Sequence, residues 1–305
     1  MRAPALSAGA ASGPWERVRQ AVSDYYELTK PRIVALILIT TLSGFLVAPG
    51  PYGPPALLLA TLAGVGLVSG GGGVLNCYID RDIDARMRRT ARRAIPAGRI
   101  RPGAALLYGL GLTGAGLAIL LAWVGKLPAA LTFVGFSIYV GVYSLWLKRR
   151  TPQNIVLGGA AGAMGPVIGW AAAGQALGVA PWLLFAIIFL WTPPHFWSLA
   201  LLAEEDYRRA GVPMLPNVRG AAATRRWVVA YTVALAAVAM LPPLAGVGGP
   251  LYLAVAGAAG VIYVAMAVQA WRQASREADR ALFHYSLFYL SVVYTTLVIS
   301  ARWLA

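Results

Sequence analysis

Residues 70–93, GGGGVLNCYIDRDIDARMRRTARR, change abruptly from an apolar, glycine-rich run into a segment with three aspartates and six arginines. The chain has 305 residues, of which 59% are hydrophobic and only 12% are charged. This composition excludes an ordinary soluble domain and an intrinsically disordered chain. The sequence therefore predicts a polytopic membrane protein that carries its densest charge at the end of a membrane-spanning segment.

Long apolar stretches recur along the whole chain. A membrane-spanning helix needs about 20 mostly apolar residues, and nine stretches of the sequence qualify. They cover approximately residues 33–50, 55–79, 104–124, 127–147, 155–174, 180–203, 226–244, 249–271 and 282–304. Each stretch is apolar on every face, unlike the short alternating strands of a transmembrane barrel. We therefore predict an all-α membrane protein with nine transmembrane helices.

Basic residues are distributed asymmetrically around these stretches. Of the 26 Lys and Arg residues, all but Lys126 and Arg302 precede the first stretch or follow the second, fourth, sixth and eighth. The positive-inside rule therefore predicts a cytoplasmic N-terminus and, after nine spans, a C-terminus on the outside. The same placement indicates that the net charge of +15 faces a lipid bilayer and not nucleic acid.

The first 32 residues are predicted to form a cytoplasmic N-terminal segment, and residues 33–305 a single intramembrane domain. In the N-terminal segment, apolar side chains recur at helical spacing opposite charged ones. These apolar side chains are Trp15, Val18, Val22, Tyr25 and Tyr26. The pattern favours a helix that lies in the membrane interface over a solvated linker.

Three polar residues after the second stretch share one helical face. Asn76, Asp80 and Asp84 are four residues apart, so each step turns only about 40° around a helix, while Asp82 points the opposite way. Oxygen ligands from Asp and Asn suit a hard cation such as Mg²⁺, which usually completes its shell with water and substrate phosphates. Spacing alone equally allows a charged helix end that neighbouring arginines neutralise.

A second acidic group, Glu204, Glu205 and Asp206, follows the sixth stretch, and the basic run 148–150 follows the fourth. These groups belong to matching ends of even-numbered spans, so we expect them to surround one central cavity that opens to the cytoplasmic side. Carboxylate-held Mg²⁺ together with basic side chains is the environment that a diphosphate requires. The sequence therefore favours a site for a metal-bound anion.

Small residues and prolines interrupt two of the stretches. The glycines at 70–73 are not followed by the lysine of a nucleotide-binding loop, so they are expected to permit close helix packing. Pro193 and Pro194 are expected to kink the sixth helix and expose backbone towards the cavity. His195 follows this kink and is predicted to meet an acceptor substrate, although a lone membrane histidine is more often a packing residue. His284 is expected to serve packing.

Four segments carry a resemblance to a known family. The stretch 76–100 is similar to the N-x-x-x-D-x-x-x-D signature and basic segment of the intramembrane prenyltransferases of the UbiA superfamily. LTKPRI (28–33), YSLWLKRRTPQNIVLGGAAGAMGPVIGW (143–170) and WTPPHFWSLALLAEEDYRRAGVPMLP (191–216) resemble the branch that uses haem. The resemblance covers residues 25 to about 220. One departure is Leu202, which stands where the superfamily has the first aspartate of a second D-x-x-x-D.

The resemblance implies a Mg²⁺-dependent transfer of the farnesyl group of farnesyl diphosphate to a vinyl group of haem b, which gives haem o for terminal oxidase assembly. Its implied site residues fall into three overlapping groups. The metal ligands would be Asn76, Asp80, Asp84, Glu205 and Asp206; the catalytic residues Asp80, Asp84, Lys148 and Arg149; and the further substrate-binding residues Arg89, Arg93, Asn154, His195 and Tyr207.

The same resemblance implies a bacterial cytoplasmic membrane or an organelle inner membrane, with haem A synthase or oxidase assembly factors as partners. Two alternatives stay open from the sequence. One is the same fold acting on an aromatic quinone or chlorophyll precursor. The other is a membrane transporter, although its polar groups are expected near the bilayer midplane, whereas all acids here lie at cytoplasmic ends.

Overall fold

The computed structural model describes residues 13–51 and 53–303. Residues 1–12 of the predicted N-terminal segment lie outside the described residues. Within the described part of the chain, every regular element is helical, which confirms the predicted all-α class.

Fourteen α-helices follow one another along the described residues, and five of them begin with a proline at the first position. Proline suits this position because its fixed φ is already helical. An N–H group there would have no hydrogen-bond partner within the helix, so its absence costs nothing. The α-helices are α1 (Pro14–Leu28), α2 (Pro31–Val47), α3 (Pro55–Ile79), α4 (Arg81–Arg86), α5 (Pro102–Trp123), α6 (Lys126–Ser137), α7 (Asn154–Ala163), α8 (Gly165–Ala172), α9 (Val179–Leu202), α10 (Glu204–Arg209), α11 (Leu215–Arg219), α12 (Ala221–Val238), α13 (Pro250–Gln273) and α14 (Arg276–Trp303).

Among the described residues, eight helical segments are long and apolar enough to cross a membrane, and the bent pair α1 and α2 makes a possible ninth. This number agrees with the nine spans that the sequence predicts. The observed segments are Pro55–Ile79, Pro102–Trp123, Lys126–Arg149, Asn154–Ala172, Val179–Leu202, Ala221–Ala245, Pro250–Gln273 and Arg276–Arg302. The sidedness of the termini stays a prediction.

The bend between α1 and α2 measures 49° and lies at Lys30. Lys30 has the left-handed backbone conformation, with φ of 56° and ψ of 58°. A residue before proline is disfavoured in the right-handed helical region, so Pro31 ends α1 and starts α2 in a new direction. On α1, the exposed apolar residues Trp15, Val18 and Val22 form the face that an interfacial helix requires.

Glycines allow the closest helix contacts, as the sequence predicts. A Cβ atom on Gly71 of α3 would lie 2.7 Å from the carbonyl oxygen of Gly109 on α5. A Cβ on Gly169 of α8 would lie 1.9 Å from the carbonyl oxygen of Thr41 on α2. Any larger side chain at these positions would separate the helices.

Two spans contain features that usually perturb an α-helix. The fourth span continues from α6 as a π-helix over Ile138–Trp146 and ends in a 3₁₀ turn over Leu147–Arg149. In the sixth span, α9 runs through Pro193 and Pro194 as one helix, so the predicted kink does not interrupt it. The hydroxyl of Thr192, just before the prolines, donates to the carbonyl oxygen of Ile188 at 2.8 Å.

Candidate functional site

A cavity of about 320 Å³ lies between α2, α3, the fourth span, α7 and α9. One end of it is apolar and includes Ile37, Val65, Phe136 and Ile168. Charged, amide and phenol side chains line its other end. These are Lys30, Asn76, Asp84, Arg89, Arg93, Tyr139, Tyr143, Lys148 and Tyr207. The cavity thus combines an apolar end that suits a hydrocarbon chain with a cationic, polar end that suits an anion.

The junction of α3 and α4 supplies the acidic side of the polar end. Asn76 lies in the last turn of α3, and α3 ends before Asp80, whose φ of −85° and ψ of 4° start a second short helix. Asn76, Asp80 and Asp84 are 3%, 1% and 3% exposed, whereas half of the Asp82 side chain is exposed. The three residues therefore face inward together, as their spacing predicts, and Asp82 faces outward.

Each inward-facing residue contacts a cationic side chain. The ammonium groups of Lys30 and Lys148 donate to Asn76 Oδ1 and Asp80 Oδ2, and the Arg93 guanidinium donates to Asp84 Oδ2 at 2.7 Å. The amide nitrogen of Asn76 also donates to Asp80 Oδ2 at 2.9 Å. Charge-assisted hydrogen bonds of this kind fix side-chain geometry more firmly than neutral ones do.

One carboxylate oxygen is left without such a contact. Asp80 Oδ1 is buried and has no hydrogen-bond partner, which is costly for a charged group. No group of three or more His, Cys, Asp or Glu side chains that could hold a metal ion occurs in the described residues. A cation here would instead have two carboxylates and one amide oxygen, with water and substrate oxygens in its remaining positions. This donor set fits Mg²⁺, which rarely occupies an all-protein cage.

The segment after α4 and helix α10 meet across the polar end through Arg89 and Tyr207. Arg89 follows α4, and Tyr207 lies on α10. The Arg89 guanidinium donates to the Tyr207 hydroxyl at 2.7 Å and lies 5.1 Å from the centre of the Tyr207 ring. Both residues line the cavity, so the structure brings these two sequence-predicted residues together.

The π-helix of the fourth span adds residues that sequence reasoning missed. The Ser144 hydroxyl accepts from Asn76 Nδ2 and donates to the carbonyl oxygen of Tyr139, both at 2.8 Å. The Tyr139 hydroxyl accepts from Lys30 at 3.1 Å. Single π-type turns are rare and often occur at functional sites. Lys30 itself had a signal in the sequence, because it stands in the LTKPRI segment directly before the first span.

Arg149 does not reach the cavity, contrary to the role that the sequence suggests for it. Its guanidinium donates two hydrogen bonds to Asp82, at 2.6 and 2.8 Å, and one to the carbonyl oxygen of Ile79. These bonds hold Arg149 on the outer side of α4. The adjacent Lys148 lines the cavity instead.

The second acidic group also lies apart from the first. Glu205 is paired with Arg208 and Arg209 on its own helix, and 58% of its side chain is exposed. Asp206 is partly buried on α10 and does not line the cavity. In the described residues these acids form no group of three or more with Asp80 and Asp84 that could hold a metal ion.

Asn154 and His195 are buried outside the cavity lining. Asn154 starts α7, where its amide donates to the carbonyl oxygen of Thr151 at 2.7 Å. His195 lies on the side of α9 that faces α14, and its Nδ1 is 2.7 Å from the Ser286 hydroxyl. His195 therefore does not line the cavity, to which α9 presents Trp191 and Phe196.

The helical bundle and its charged pocket define a multi-pass membrane enzyme that handles an anionic headgroup joined to an apolar tail. The UbiA prenyltransferase family model matches residues 37–292. The chain belongs to the UbiA prenyltransferase family.

Known proteins support this membership over nearly the whole chain. A relative from Gloeobacter violaceus named protoheme IX farnesyltransferase is 47% identical over 289 residues, which are 94% of this chain and 95% of that protein. A solved structure of digeranylgeranylglyceryl phosphate synthase is similar, with a TM-score of 0.77 at 17% identity, covering 92% of this chain and 99% of that one. A UbiA homologue from Archaeoglobus fulgidus, bound to GPP and Mg²⁺, has a TM-score of 0.66 at 14% identity and covers 90% of this chain and 99% of its own.

Proposed function

We propose that this chain is a Mg²⁺-dependent farnesyltransferase that joins the farnesyl group of farnesyl diphosphate to a vinyl group of haem b and so gives haem o. The observation that carries the proposal is the polar end of the cavity, which Asn76, Asp84, Arg93 and Lys148 line and where Lys148 and Arg93 pair with the buried carboxylates of Asp80 and Asp84. The name of the 47% identical relative supports haem as the acceptor.

The donor would bind with its diphosphate at the polar end. Asn76, Asp80 and Asp84 are the proposed ligands of Mg²⁺, which supplies positive charge to a leaving diphosphate. Lys148 and Arg93 would donate hydrogen bonds to the diphosphate oxygens as the C–O bond breaks and its electron pair moves to the oxygen. Fixed donors in a water-poor site stabilise such charge more effectively than water does.

The apolar end would receive the farnesyl chain and the porphyrin ring. Its aliphatic and aromatic lining excludes water from the allylic carbon, so that the vinyl group is the nearest nucleophile. The allylic carbon then bonds to the terminal vinyl carbon, water adds to the other vinyl carbon, and a proton is released. Arg89 and Tyr207, which join the segment after α4 to α10 at the polar end, would limit the access of water until both substrates are bound.

The proposal is tested by incubating the purified protein in detergent with haem b, farnesyl diphosphate and Mg²⁺ and analysing the extracted haem by mass spectrometry. We expect a haem that has gained one farnesyl group and one hydroxyl group. The Asp80→Asn variant and a sample treated with EDTA should give unchanged haem b. Unmodified haem from the wild type, together with prenylation of an aromatic quinone precursor, would overturn the choice of acceptor. Full activity after exhaustive chelation would overturn the role of Mg²⁺.

The family and the apolar helices make this a multi-pass membrane protein. We propose the bacterial cytoplasmic membrane or an organelle inner membrane as its location, because haem o serves terminal oxidases there. Proteins that accept haem o, such as haem A synthase or oxidase assembly factors, would be its partners.

A further inference from the structure

Trp191 is a large flat side chain in the cavity wall, and two other residues hold it in place. It lies about 16 Å along α9 from Leu202, at 1.5 Å per residue, and therefore well below the polar end. Its indole N–H donates to the backbone carbonyl of Ser286 on α14 at 2.7 Å. The imidazole of His195 stacks on the indole, with ring centres 4.3 Å apart and an angle of 16° between the planes.

The hydrogen bonds around Ser286 define the state of His195. The Ser286 hydroxyl donates its hydrogen to the carbonyl oxygen of Phe283 at 2.5 Å. The contact of 2.7 Å between this hydroxyl and His195 Nδ1 therefore needs its hydrogen from the ring, so His195 carries a proton on Nδ1. The ring of Phe283 stacks on His195 with its centre 4.8 Å away. His195 is thus fixed by two rings and one directed hydrogen bond.

We infer that His195 and Ser286 are positioning residues that hold Trp191 as a rigid flat wall against the porphyrin of the acceptor. The inference rests on the proposed function and adds a site for its acceptor. His195 covers one side of the indole and the N–H of Trp191 is bonded to α14, so Trp191 is only 4% exposed and lines the cavity with the small part of the indole that these contacts leave free. A rigid aromatic surface complements a flat macrocycle better than it complements a flexible isoprenoid chain.

The consequence for catalysis is orientation of one vinyl group towards the allylic carbon. A small displacement of a reacting group lowers the rate strongly, because correct orientation supplies a large part of rate acceleration. His195 does not need to contact the substrate for this effect. It acts through Trp191, and Ser286 links both residues to α14 through its hydroxyl and its backbone carbonyl.

The test compares His195→Phe, which keeps a stacking ring but loses the N–H donor, with Ser286→Ala, which loses the side-chain acceptor and keeps the backbone carbonyl. Ser291→Ala is the matched control, because Ser291 lies on the same helix, is exposed and bonds only within it. Each of the first two variants should raise the KM and the Kd for haem b by about fivefold, the scale of one hydrogen bond. The KM for farnesyl diphosphate should stay within about twofold, and the double variant should resemble the single ones, because both lose the same bond.

Equal increases in both KM values would indicate a general packing defect and would overturn the inference, as would unchanged haem affinity in Ser286→Ala. Titrating haem b into each protein and following the Soret band measures binding without turnover. A wild type that binds haem but forms no farnesylated product would contradict the proposed function alone. A fully active wild type with unaffected variants would contradict the positioning role alone.

Discussion

Asp82 and Asp84 are two residues apart on α4 and lie in opposite surroundings. Asp84 is buried, lines the cavity and accepts a hydrogen bond from Arg93, whereas Asp82 is half-exposed and pairs with Arg149 outside it. We therefore predict that Asp84→Asn and Asp80→Asn lower kcat at least about 100-fold, since each removes charge from the metal site. Asp82→Asn, the control, should stay within about threefold. Rates of haem farnesylation measure all three, and equal losses would contradict the opposite orientation.

The pH dependence of the activity of the Asp82→Asn variant distinguishes Asp82 from Asp84 further. Side-chain hydrogen bonds from Arg149 lower the pKa of Asp82 from 3.8 to about 2. A lowered pKa stabilises the fold above 3.8, and this contribution is lost only as the pH falls towards 2. Between pH 6 and 8 the ratio of Asp82→Asn activity to wild-type activity should therefore be constant. A ratio that changes across this range would show that Asp82 participates in the reaction.

The two lysines of the polar end give a second prediction. Lys30→Met and Lys148→Met each remove an ammonium group that bonds to Asn76 or Asp80. Hydrogen bonds to charged groups contribute about 1.5–3 kcal/mol, so the KM for farnesyl diphosphate should rise roughly 10- to 100-fold. Arg150→Gln is the control, since Arg150 is exposed and does not line the cavity. Steady-state kinetics with varied farnesyl diphosphate decide the matter, and a normal KM in Lys30→Met would remove Lys30 from the donor site.

Much of the fold can be predicted from the sequence. A helix in lipid satisfies its own backbone hydrogen bonds and is therefore recognised in the sequence as a long apolar stretch. The inward orientation of Asn76, Asp80 and Asp84 can also be predicted, because helical periodicity relates residues that are close together in the chain. Lys30 is different. It meets Asn76 across 46 positions of the chain, and no periodicity relates residues on different helices.

Arg149 and His195 both lie outside the cavity lining, and one cause explains both positions. For Arg149, the sequence predicts that the residue follows the end of the fourth span. It does not predict the ion pair with Asp82, which holds the side chain outside the cavity. For His195, two adjacent prolines indicate a perturbed helix without indicating which side faces the cavity. The side was decided by packing against α14, where Ser286 provides the partner for the ring. Such contacts depend on tertiary packing, which local patterns do not contain.

The second acidic group provides a third prediction. Glu205 is bound to Arg208 and Arg209 on the surface of α10, and Asp206 does not line the cavity. Glu205→Gln and Asp206→Asn should therefore leave the Mg²⁺ concentration for half-maximal activity within about twofold of wild type, as expected for surface pairs worth less than about 1 kcal/mol. Titrations of activity with Mg²⁺ measure this directly. An increase of tenfold or more in either variant would restore that residue as a metal ligand.

The last prediction concerns the room available to the substrates. Gly162 on α7 lines the cavity, and a Cβ atom there would meet nothing within 4 Å. Gly162→Leu would therefore add a Cβ that meets no neighbouring atom and would place an isobutyl group beside a space of about 320 Å³. We expect kcat/KM for haem farnesylation to fall at least about tenfold, because the new side chain competes with the substrates for the volume of the cavity.

Gly111→Leu is the matched control. Gly111 is an exposed helical glycine on α5 that also has no neighbour within 4 Å of a built Cβ, but it does not line the cavity. Both variants should melt within a few degrees of wild type in detergent, since the new Cβ atom meets nothing within 4 Å at either position. If Gly162→Leu retained full activity while melting normally, the substrates would have to bind elsewhere than beside α7.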